Sequence, residues 1–151
     1  MLSVLTRRLE KCYLESRRSN PTSPIQTQTE VATIRFINCV RRRQDVSVED
    51  FRRYWKSPEF KALYDRLVAI LEPHRCARNL TLQVGANELV REERGSGEAF
   101  DATIEFWWSD AKQLMQKYDS PEALSIREDM LAYQEQFIDM GGCRAFFTEY
   151  E

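Results

Sequence analysis

The stretch Ala32-Thr33-Ile34-Arg35-Phe36 decides the fold, because a close copy of it, Ala102-Thr103-Ile104-Glu105-Phe106, follows seventy residues later. Both copies alternate large apolar residues with polar ones, and a period of two is typical of a strand whose two faces differ. A second motif, Ser57-Pro58-Glu59, recurs as Ser120-Pro121-Glu122, each time within a helical pattern. Two repeats in the same order predict a fold built from two similar strand–helix halves.

The remaining patterns predict four strands and two helical regions. The strands fall at about residues 31–40, 76–84, 100–108 and 143–149, and helical segments begin at Ser47, Ser57, Ser109 and Ser120. In the second strand, Leu80, Leu82 and Val84 are predicted to face the helices, and the polar residues 85–99 to form a mobile connection. The order strand, helix, strand, strand, helix, strand is that of the ferredoxin-like fold. This is an α+β protein with a four-stranded antiparallel sheet and both helical regions on one face.

The domain is predicted to span residues 31–151, preceded by an N-terminal extension and linker over residues 1–30. Residues 1–19 place leucines on one stripe at helical spacing. Three interpretations compete for them: a transit peptide, a helix on a membrane surface, or a helix packed on the protein or on a partner subunit. Residues 20–30 contain two prolines and mostly polar residues, which is typical of a linker.

Composition argues against several classes of protein. The net charge of −2 and the pI near 5.6 give no electrostatic reason to expect nucleic-acid binding. No apolar run approaches the ~20 residues of a membrane-spanning helix, so stable membrane insertion is not expected. The four cysteines form no CxxC pair and His74 is the only histidine, so no metal site is predicted. Widely spread cysteines favour a reducing, cytoplasmic setting.

The sheet face turned away from the helices is where the strand pattern concentrates polar residues. It is predicted to carry Thr33, Arg35, Ile37, Asn79, Thr81, Gln83, Asp101, Thr103, Glu105 and Trp107. Strands one and three are neighbours in this topology, so Arg35 and Glu105 are expected side by side. Two interpretations stay open: a cross-strand ion pair worth about 0.2–1 kcal/mol, or polar groups that converge on a small-molecule site. A second copy over this face would make a barrel-like homodimer with a cavity between two sheets.

Several motifs resemble the EthD family within the dimeric α+β barrel superfamily. Residues 48–55, VEDFRRYW, are similar to that family's first helix, and residues 101–110 to its third strand and the helix start after it. Residues 120–123 and 137–139 also fit, and the resemblance covers about residues 31–151. It implies a ferredoxin-like protomer, a homodimer, and a cavity for hydrophobic, often aromatic or polyketide-like molecules. Relatives include cofactor-free cyclases, decarboxylases, isomerases and monooxygenases, and some haem-binding enzymes.

One departure from the family pattern affects the chemistry. Family members usually carry a histidine soon after the Tyr-Trp pair, whereas this chain has Ser57-Pro58-Glu59 there. The predicted proton-transfer residues are therefore the carboxylates Glu105 and Asp101, with His74 as a further candidate at a helix-to-strand corner. A carboxylate in an apolar cavity has a raised pKa and serves as acid or base. The predicted substrate-binding residues are Arg35, which would hold a carboxylate or enolate, together with Asn79, Thr103, Trp107 and Trp55.

Two functions compete on this basis. The first is a cofactor-independent lyase, cyclase, decarboxylase or isomerase of secondary metabolism that acts on a hydrophobic aromatic or polyketide-like substrate. The second is a non-catalytic dimeric ligand-binding or accessory protein, which the missing histidine favours. A haem enzyme is disfavoured because His74 is poorly placed, and an RNA-binding domain because the required aromatic strand and basic face are lacking. The sequence contains no nucleophile motif, phosphate loop or metal constellation.

Overall fold

The computed structural model describes residues 33–150, which form four strands and five helices. In chain order these are β1 (Thr33–Val40), α1 (Val48–Lys56), α2 (Pro58–Leu71), β2 (Arg75–Leu80), α3 (Gly85–Arg94), β3 (Ala102–Trp108), α4 (Ala111–Tyr118), α5 (Pro121–Gln134) and β4 (Arg144–Tyr150). The predicted helix over residues 1–19 and the linker after it lie outside the described residues. None of the described helices has the length and apolar character needed to cross a membrane.

β1 and β3, the two strands of the sequence repeat, lie side by side at the centre of the sheet. The strand order is β2-β3-β1-β4, and every pairing is antiparallel. Phe36 is opposite Phe106 in the register, so corresponding residues of the two copies meet. This strand order, with the intervening helices packed in one layer, is the ferredoxin-like arrangement, and the predicted α+β fold is confirmed.

Serines begin three of the helices, as the sequence predicts. The hydroxyls of Ser47, Ser57 and Ser120 each accept a hydrogen bond from the backbone amide three residues further on, at 3.0 to 3.2 Å. Ser57 is extended, so α1 ends there and α2 begins afresh at the proline that follows. α4 differs from the prediction because Asp110, not Ser109, is its cap. The carboxylate of Asp110 accepts from two backbone amides, at 2.8 and 3.3 Å, and favours the positive end of the helix dipole.

Helices α1, α2, α4 and α5 pack on one face of the sheet, which we call the inner face. The two central strands contribute alternate residues to the core there: Ile34, Phe36, Val40, Ala102, Ile104, Phe106 and Trp108. Opposite them, Phe51, Trp55, Phe60 and Phe137 are each at most 2% exposed, and their neighbouring ring centroids are 5.3–5.7 Å apart. Complete burial of one such ring contributes roughly 1.5–3 kcal/mol, so this aromatic layer supplies much of the free energy of folding.

The segment after β2 differs from the prediction. β2 ends at Leu80 rather than at residue 84, and residues 85–94 form helix α3 rather than a mobile connection. The reason is that Leu80 pairs with Ala102, the first residue of β3. After one more hydrogen bond, from the amide of Thr81 to the carbonyl of Asp101 at 3.0 Å, the chain has no strand to pair with. Leu82 and Val84 are therefore 69% and 49% exposed instead of facing the helices. Gly95 follows α3 in the left-handed conformation, which glycine adopts without strain.

Candidate functional site

The face opposite the inner face, which we call the outer face, carries three rows of side chains across the four strands. In the order β2, β3, β1, β4, row one is Arg75, Trp107, Arg35 and Thr148; row two is Ala77, Glu105, Ile37 and Phe146; row three is Asn79, Thr103, Cys39 and Arg144. The structure thus brings together five of the predicted site residues: Arg35, Asn79, Thr103, Glu105 and Trp107. Thr81 and Gln83, also predicted on this face, come after the end of β2.

Trp107 lies between two arginines on the outer face. The guanidinium carbons of Arg75 and Arg35 are 4.6 and 5.1 Å from the centroid of its ring. A guanidinium within about 6 Å of an indole is attracted to the negative face of the ring. Trp107 is only 7% exposed although it is not part of the core between sheet and helices. The two arginines therefore form part of its cover.

Arg35 and Glu105 lie side by side, as the sequence predicts, and form an ion pair. Nε of Arg35 donates to Oε2 of Glu105 at 3.0 Å, and Nη2 contacts the same oxygen. The side chains keep 32% and 13% of their exposure, so solvent screens the pair only in part. The positive charge of Arg35 is thus already compensated within one protomer.

A line of hydrogen bonds connects Glu105 to the exposed edge of the sheet. The side-chain amide of Asn79 donates to the hydroxyl of Thr103 at 3.2 Å, and that hydroxyl donates to Oε1 of Glu105 at 3.5 Å. Both carboxylate oxygens therefore have a donor, one from each side. Burial, and then the negative charge of Glu105, raises the pKa of the neighbouring Cys39 thiol, so Cys39 stays protonated at neutral pH.

Arg75, at the β2 end of row one, is exposed and has no acidic partner among the described residues. Arg144, in the opposite corner of the outer face, donates from Nη1 to the backbone carbonyls of Gly141 and Cys143 at 3.2 and 2.7 Å. The three rows together carry three arginines and one glutamate, whereas the net charge of the whole chain is −2. Positive charge is therefore concentrated on the outer face.

Three predicted site residues lie outside these rows. Asp101 precedes β3, and its carboxylate accepts from the backbone amide of Arg42 at 2.8 Å and pairs with the Arg42 guanidinium at 3.4 Å. His74 is exposed at the helix-to-strand corner, where its Nδ1 is 3.3 Å from the hydroxyl of Ser109. Trp55 is 2% exposed and belongs to the core under the helices. In this protomer Asp101 joins the ends of two strands and Trp55 stabilises the core.

Two clefts of about 490 and 450 Å³ border Arg42 and Asp101. Their walls include none of the residues in the three rows of the outer face, so they are separate from the Arg35–Glu105 pair. Across residues 33–150, no three His, Cys, Asp or Glu side chains are grouped closely enough to bind a metal ion.

The inner face holds polar residues that sequence reasoning missed. Oδ1 of Asn38 and Nη1 of Arg78 are buried and have no hydrogen-bond partner in the described part of the chain, and the buried Oη of Tyr64 has only the thiol of Cys76 beside it. The guanidinium of Arg78 lies 5.1–5.8 Å from the ring centroids of Tyr64, Phe60 and Trp55. Burial, and then the neighbouring Cys76 thiol, raises the pKa of Tyr64, so its hydroxyl keeps its proton. Buried polar atoms of this kind normally bind an ordered water or a polar group of a ligand.

The signal for Arg78 was present in the sequence. Arg78 alternates with the outer-face residues of β2 and shares the inner face with Cys76 and Leu80. An arginine between two inward-facing positions is unusual, because arginine is rarely buried without a partner. The strand pattern alone therefore singles out Arg78 as a residue that needs an explanation.

Comparisons with known proteins agree with this fold. A model of the EthD family, described as "EthD domain", matches residues 43–141, which is more than half of the chain. A dimeric protein of unknown function and ferredoxin-like fold from Bacteroides fragilis NCTC 9343 has 13% sequence identity and a TM-score of 0.52, over 78% of this chain and 96% of its own. An ethyl tert-butyl ether D (EthD) family protein from Bacillus halodurans C-125 has 11% identity and a TM-score of 0.52, over 79% and 99%.

An EthD-like protein from Ralstonia eutropha JMP134 is similar in structure as well. Its sequence identity is 13% and its TM-score 0.50, over 78% of this chain and 91% of its own. No match was found among curated proteins. At identities this low, the three structural likenesses concern the fold alone.

Proposed function

The chain belongs to the EthD family, and we propose that two copies of it associate through their outer faces and enclose a chamber for a hydrophobic, aromatic or polyketide-like small molecule. In this proposal Glu105 transfers a proton of the bound molecule and no cofactor takes part. The reaction is then a ring closure, a decarboxylation or an isomerisation, because these need proton transfer but no net oxidation.

The side chains of the outer face support the pairing of two copies. Phe146 is 46% exposed and lies beside Ile37 in row two. Adjacent apolar side chains surrounded by polar ones are typical of a protein–protein contact when they form a contiguous patch. The structurally similar protein from Bacteroides fragilis is described as dimeric, and our proposal extends that state to this chain.

The position of Glu105 is the observation that carries the proposal. Its side chain is only 13% exposed, lies on the outer face and is paired with Arg35. A carboxylate in this position takes a proton from a carbon next to a carbonyl group, and the adjacent guanidinium stabilises the enolate oxygen that forms. In an isomerisation the same proton returns to another carbon. In a ring closure the enolate carbon attacks a second carbonyl carbon of the ligand, the π bond of that carbonyl breaks, and its oxygen takes the proton from Glu105.

The substitution Glu105→Gln tests the catalytic role. The amide keeps the shape of the side chain and still accepts a hydrogen bond from Arg35, but it takes up no proton. Turnover of aromatic β-keto acids, followed by mass spectrometry, is expected to fall by about 10²–10⁴-fold while the melting temperature changes little. Glu128→Gln, at an exposed position of α5, is the matched control and leaves turnover unchanged. Full turnover in Glu105→Gln would show that Glu105 is not the proton-transfer residue.

A non-catalytic ligand-binding protein is the alternative, and the residues after the Tyr-Trp pair favour it. Ser57 lies close to the sequence position where family members usually have the histidine. Its hydroxyl forms a hydrogen bond with the hydroxyl of Tyr133 at 2.7 Å. The only histidine of the chain, His74, lies outside the three rows. A purified wild-type protein that retains an aromatic ligand but converts none of the β-keto acids would establish binding without catalysis.

The inner face offers a second location for the same ligand. The observation that favours it is that buried polar atoms of Asn38 and Arg78 have no partner among residues 33–150. A ligand there would hydrogen-bond Nη1 of Arg78 and contact the surrounding rings. Loss of ligand binding in Arg78→Met would assign the ligand to the inner face. Ligand binding that Arg78→Met leaves unchanged supports the chamber between two outer faces.

A further inference from the structure

We infer that Arg75 holds the anionic group of the ligand, and that the ligand is a carboxylate with a flat apolar body of two or three fused rings. The inference rests on the proposed function and names the substrate class of the same outer-face site. It assigns anion binding to the β2 end of row one, whereas the sequence analysis assigned it to Arg35.

The charges of the outer face distinguish its three arginines. Arg35 is paired with Glu105, so its charge is compensated within the protomer. Arg144 donates to two backbone carbonyls of its own loop. Arg75 has neither an acidic partner nor a hydrogen-bond acceptor in the part of the chain that the structure describes. Among the described residues it is therefore the arginine of this face with no donor engaged, whereas Arg144 already has its Nη1 bound to carbonyls.

Trp107 prepares Arg75 for this role. The guanidinium of Arg75 lies over the indole, with its central carbon 4.6 Å from the ring centroid. A guanidinium held by a ring has lost much of its freedom already, so fixing it in a complex costs less than fixing a free arginine side chain. Its N–H groups, which lie in the plane of the guanidinium, match the two oxygens of a carboxylate.

When two outer faces pair, a bound anion is needed more strongly to compensate the positive charge between them. Each copy brings one uncompensated Arg75 into the chamber, and like charges repel more strongly where water is partly excluded. A bound carboxylate compensates each charge, so binding of the ligand and association of the two copies favour each other.

The apolar residues of row two set the size of the ligand. Ile37 lies two strands from Arg75 and Phe146 lies three strands away. With neighbouring strands about 4.8 Å apart, these distances are ~10 and ~14 Å across the sheet. An apolar body that reaches from a carboxylate on Arg75 to these side chains has the length of two or three fused aromatic rings.

The test measures binding of 2-naphthoate and of its neutral analogue 2-naphthamide to the full chain by isothermal titration calorimetry. The variants are Arg75→Gln and, as a matched control with the same change of charge on the same face, Arg144→Gln. We expect 2-naphthoate to bind about 10-fold or more weakly to Arg75→Gln, and to bind Arg144→Gln within about 2-fold of the wild type. The amide is expected to bind the wild type as weakly as 2-naphthoate binds Arg75→Gln. Circular dichroism of both variants verifies that they are folded, which their exposed positions favour.

Each of the other outcomes overturns a specific part of the inference. Equal affinity of wild type and Arg75→Gln for 2-naphthoate overturns the role of Arg75 and leaves the chamber in place. Equal loss in both variants means that only the overall positive charge matters, which also overturns it. Equal binding of acid and amide to the wild type overturns the anionic ligand but not the hydrophobic one. A wild type that binds neither compound overturns the inference and the proposed function together.

Discussion

The inner and outer faces of the same sheet both hold arginines over aromatic rings, but the rings come from different places. On the inner face, Arg78 contacts Trp55 of α1 and Phe60 and Tyr64 of α2. On the outer face, Arg35 and Arg75 contact Trp107, a residue of the strand between them. The inner arginine is therefore enclosed by the protomer itself, whereas the outer ones depend on neighbours within the sheet.

If the outer face binds the ligand as proposed, this difference separates residues that stabilise the fold from residues that bind the ligand. The inner face has its apolar cover built into the chain, so its residues determine whether the protomer folds. The outer face has charges and apolar side chains that remain available to a ligand or to a second copy. Matched substitutions on the two faces should therefore change the free energy of unfolding by very different amounts. Equal changes would contradict this division between the two faces.

The largest expected effect separates two phenylalanines. Phe60 is fully buried against Trp55 and Phe137, so Phe60→Ala should lower the free energy of unfolding by about 3–5 kcal/mol. Phe146 is 46% exposed, so Phe146→Ala should cost the protomer less than about 1 kcal/mol. Urea unfolding followed by circular dichroism measures both.

Protein concentration sharpens this test. If two copies pair through the outer face, the effect of Phe146→Ala grows with concentration, because association stabilises the folded state by mass action. The effect of Phe60→Ala does not depend on concentration in the same way. Similar losses for the two variants at high dilution would contradict the division of roles between the faces.

A smaller effect separates two arginines. Arg35→Met leaves the carboxylate of Glu105 without its ion-pair partner, and we expect a loss of about 1–2 kcal/mol, since the pair is only partly exposed. Arg78→Met removes a half-buried cation, whose buried Nη1 has no partner among the described residues, and keeps an apolar side chain against the rings. Its stability should stay within about 1 kcal/mol of the wild type, because lost cation–π attraction and relieved desolvation oppose each other.

The double variant Arg35→Met, Glu105→Leu is the control for this pair. It removes both charges, so it should recover most of the stability that Arg35→Met loses. Thermal or urea unfolding measures all three variants. A larger loss in Arg78→Met than in Arg35→Met would mean that the inner arginine makes an interaction that the described residues do not account for.

The sequence predicted the outer-face pair because that pair depends on two simple rules. Strand alternation places Arg35 and Glu105 on the same face, and the ferredoxin-like order makes their strands neighbours. The sequence repeat around the two residues indicated both the strand alternation and the two similar halves of the fold. The fold and the contact between Arg35 and Glu105 could therefore both be predicted from the sequence.

The alternation of polar and apolar residues gives a wrong strand prediction where the pairing between strands ends. Thr81 to Val84 continue the period of two, but β3 begins opposite Leu80, so the later residues leave the sheet. Asp101 is likewise two residues from Thr103, so alternation predicts it on the same face, but it precedes the strand and its carboxylate accepts a hydrogen bond from Arg42. A local pattern shows which face a residue would take, whereas the length of the partner strand decides whether it takes it.

The smallest effect at neutral pH concerns Tyr64 on the inner face and appears only in alkaline solution. Burial raises the pKa of Tyr64 above its ordinary value of 10.0, so the folded protein holds this proton more tightly than the unfolded chain does. Stability from this group is complete below pH 10 and is lost as the pH rises further, at up to about 1.4 kcal/mol per pH unit. Tyr64→Phe should therefore be nearly neutral at pH 7 and should remove the decline above pH 10 in urea-unfolding midpoints.

Cys39 on the outer face gives the matched comparison. Burial and Glu105 raise its pKa above the ordinary 9.0, so its contribution is complete below pH 9 and is lost from there upward. Cys39→Ala should flatten the stability profile from near pH 9, where Tyr64→Phe has no effect. If Tyr64→Phe leaves the profile above pH 10 unchanged, the Tyr64 hydroxyl has water or an acceptor on the inner face, and that face is less closed to solvent than the comparison requires.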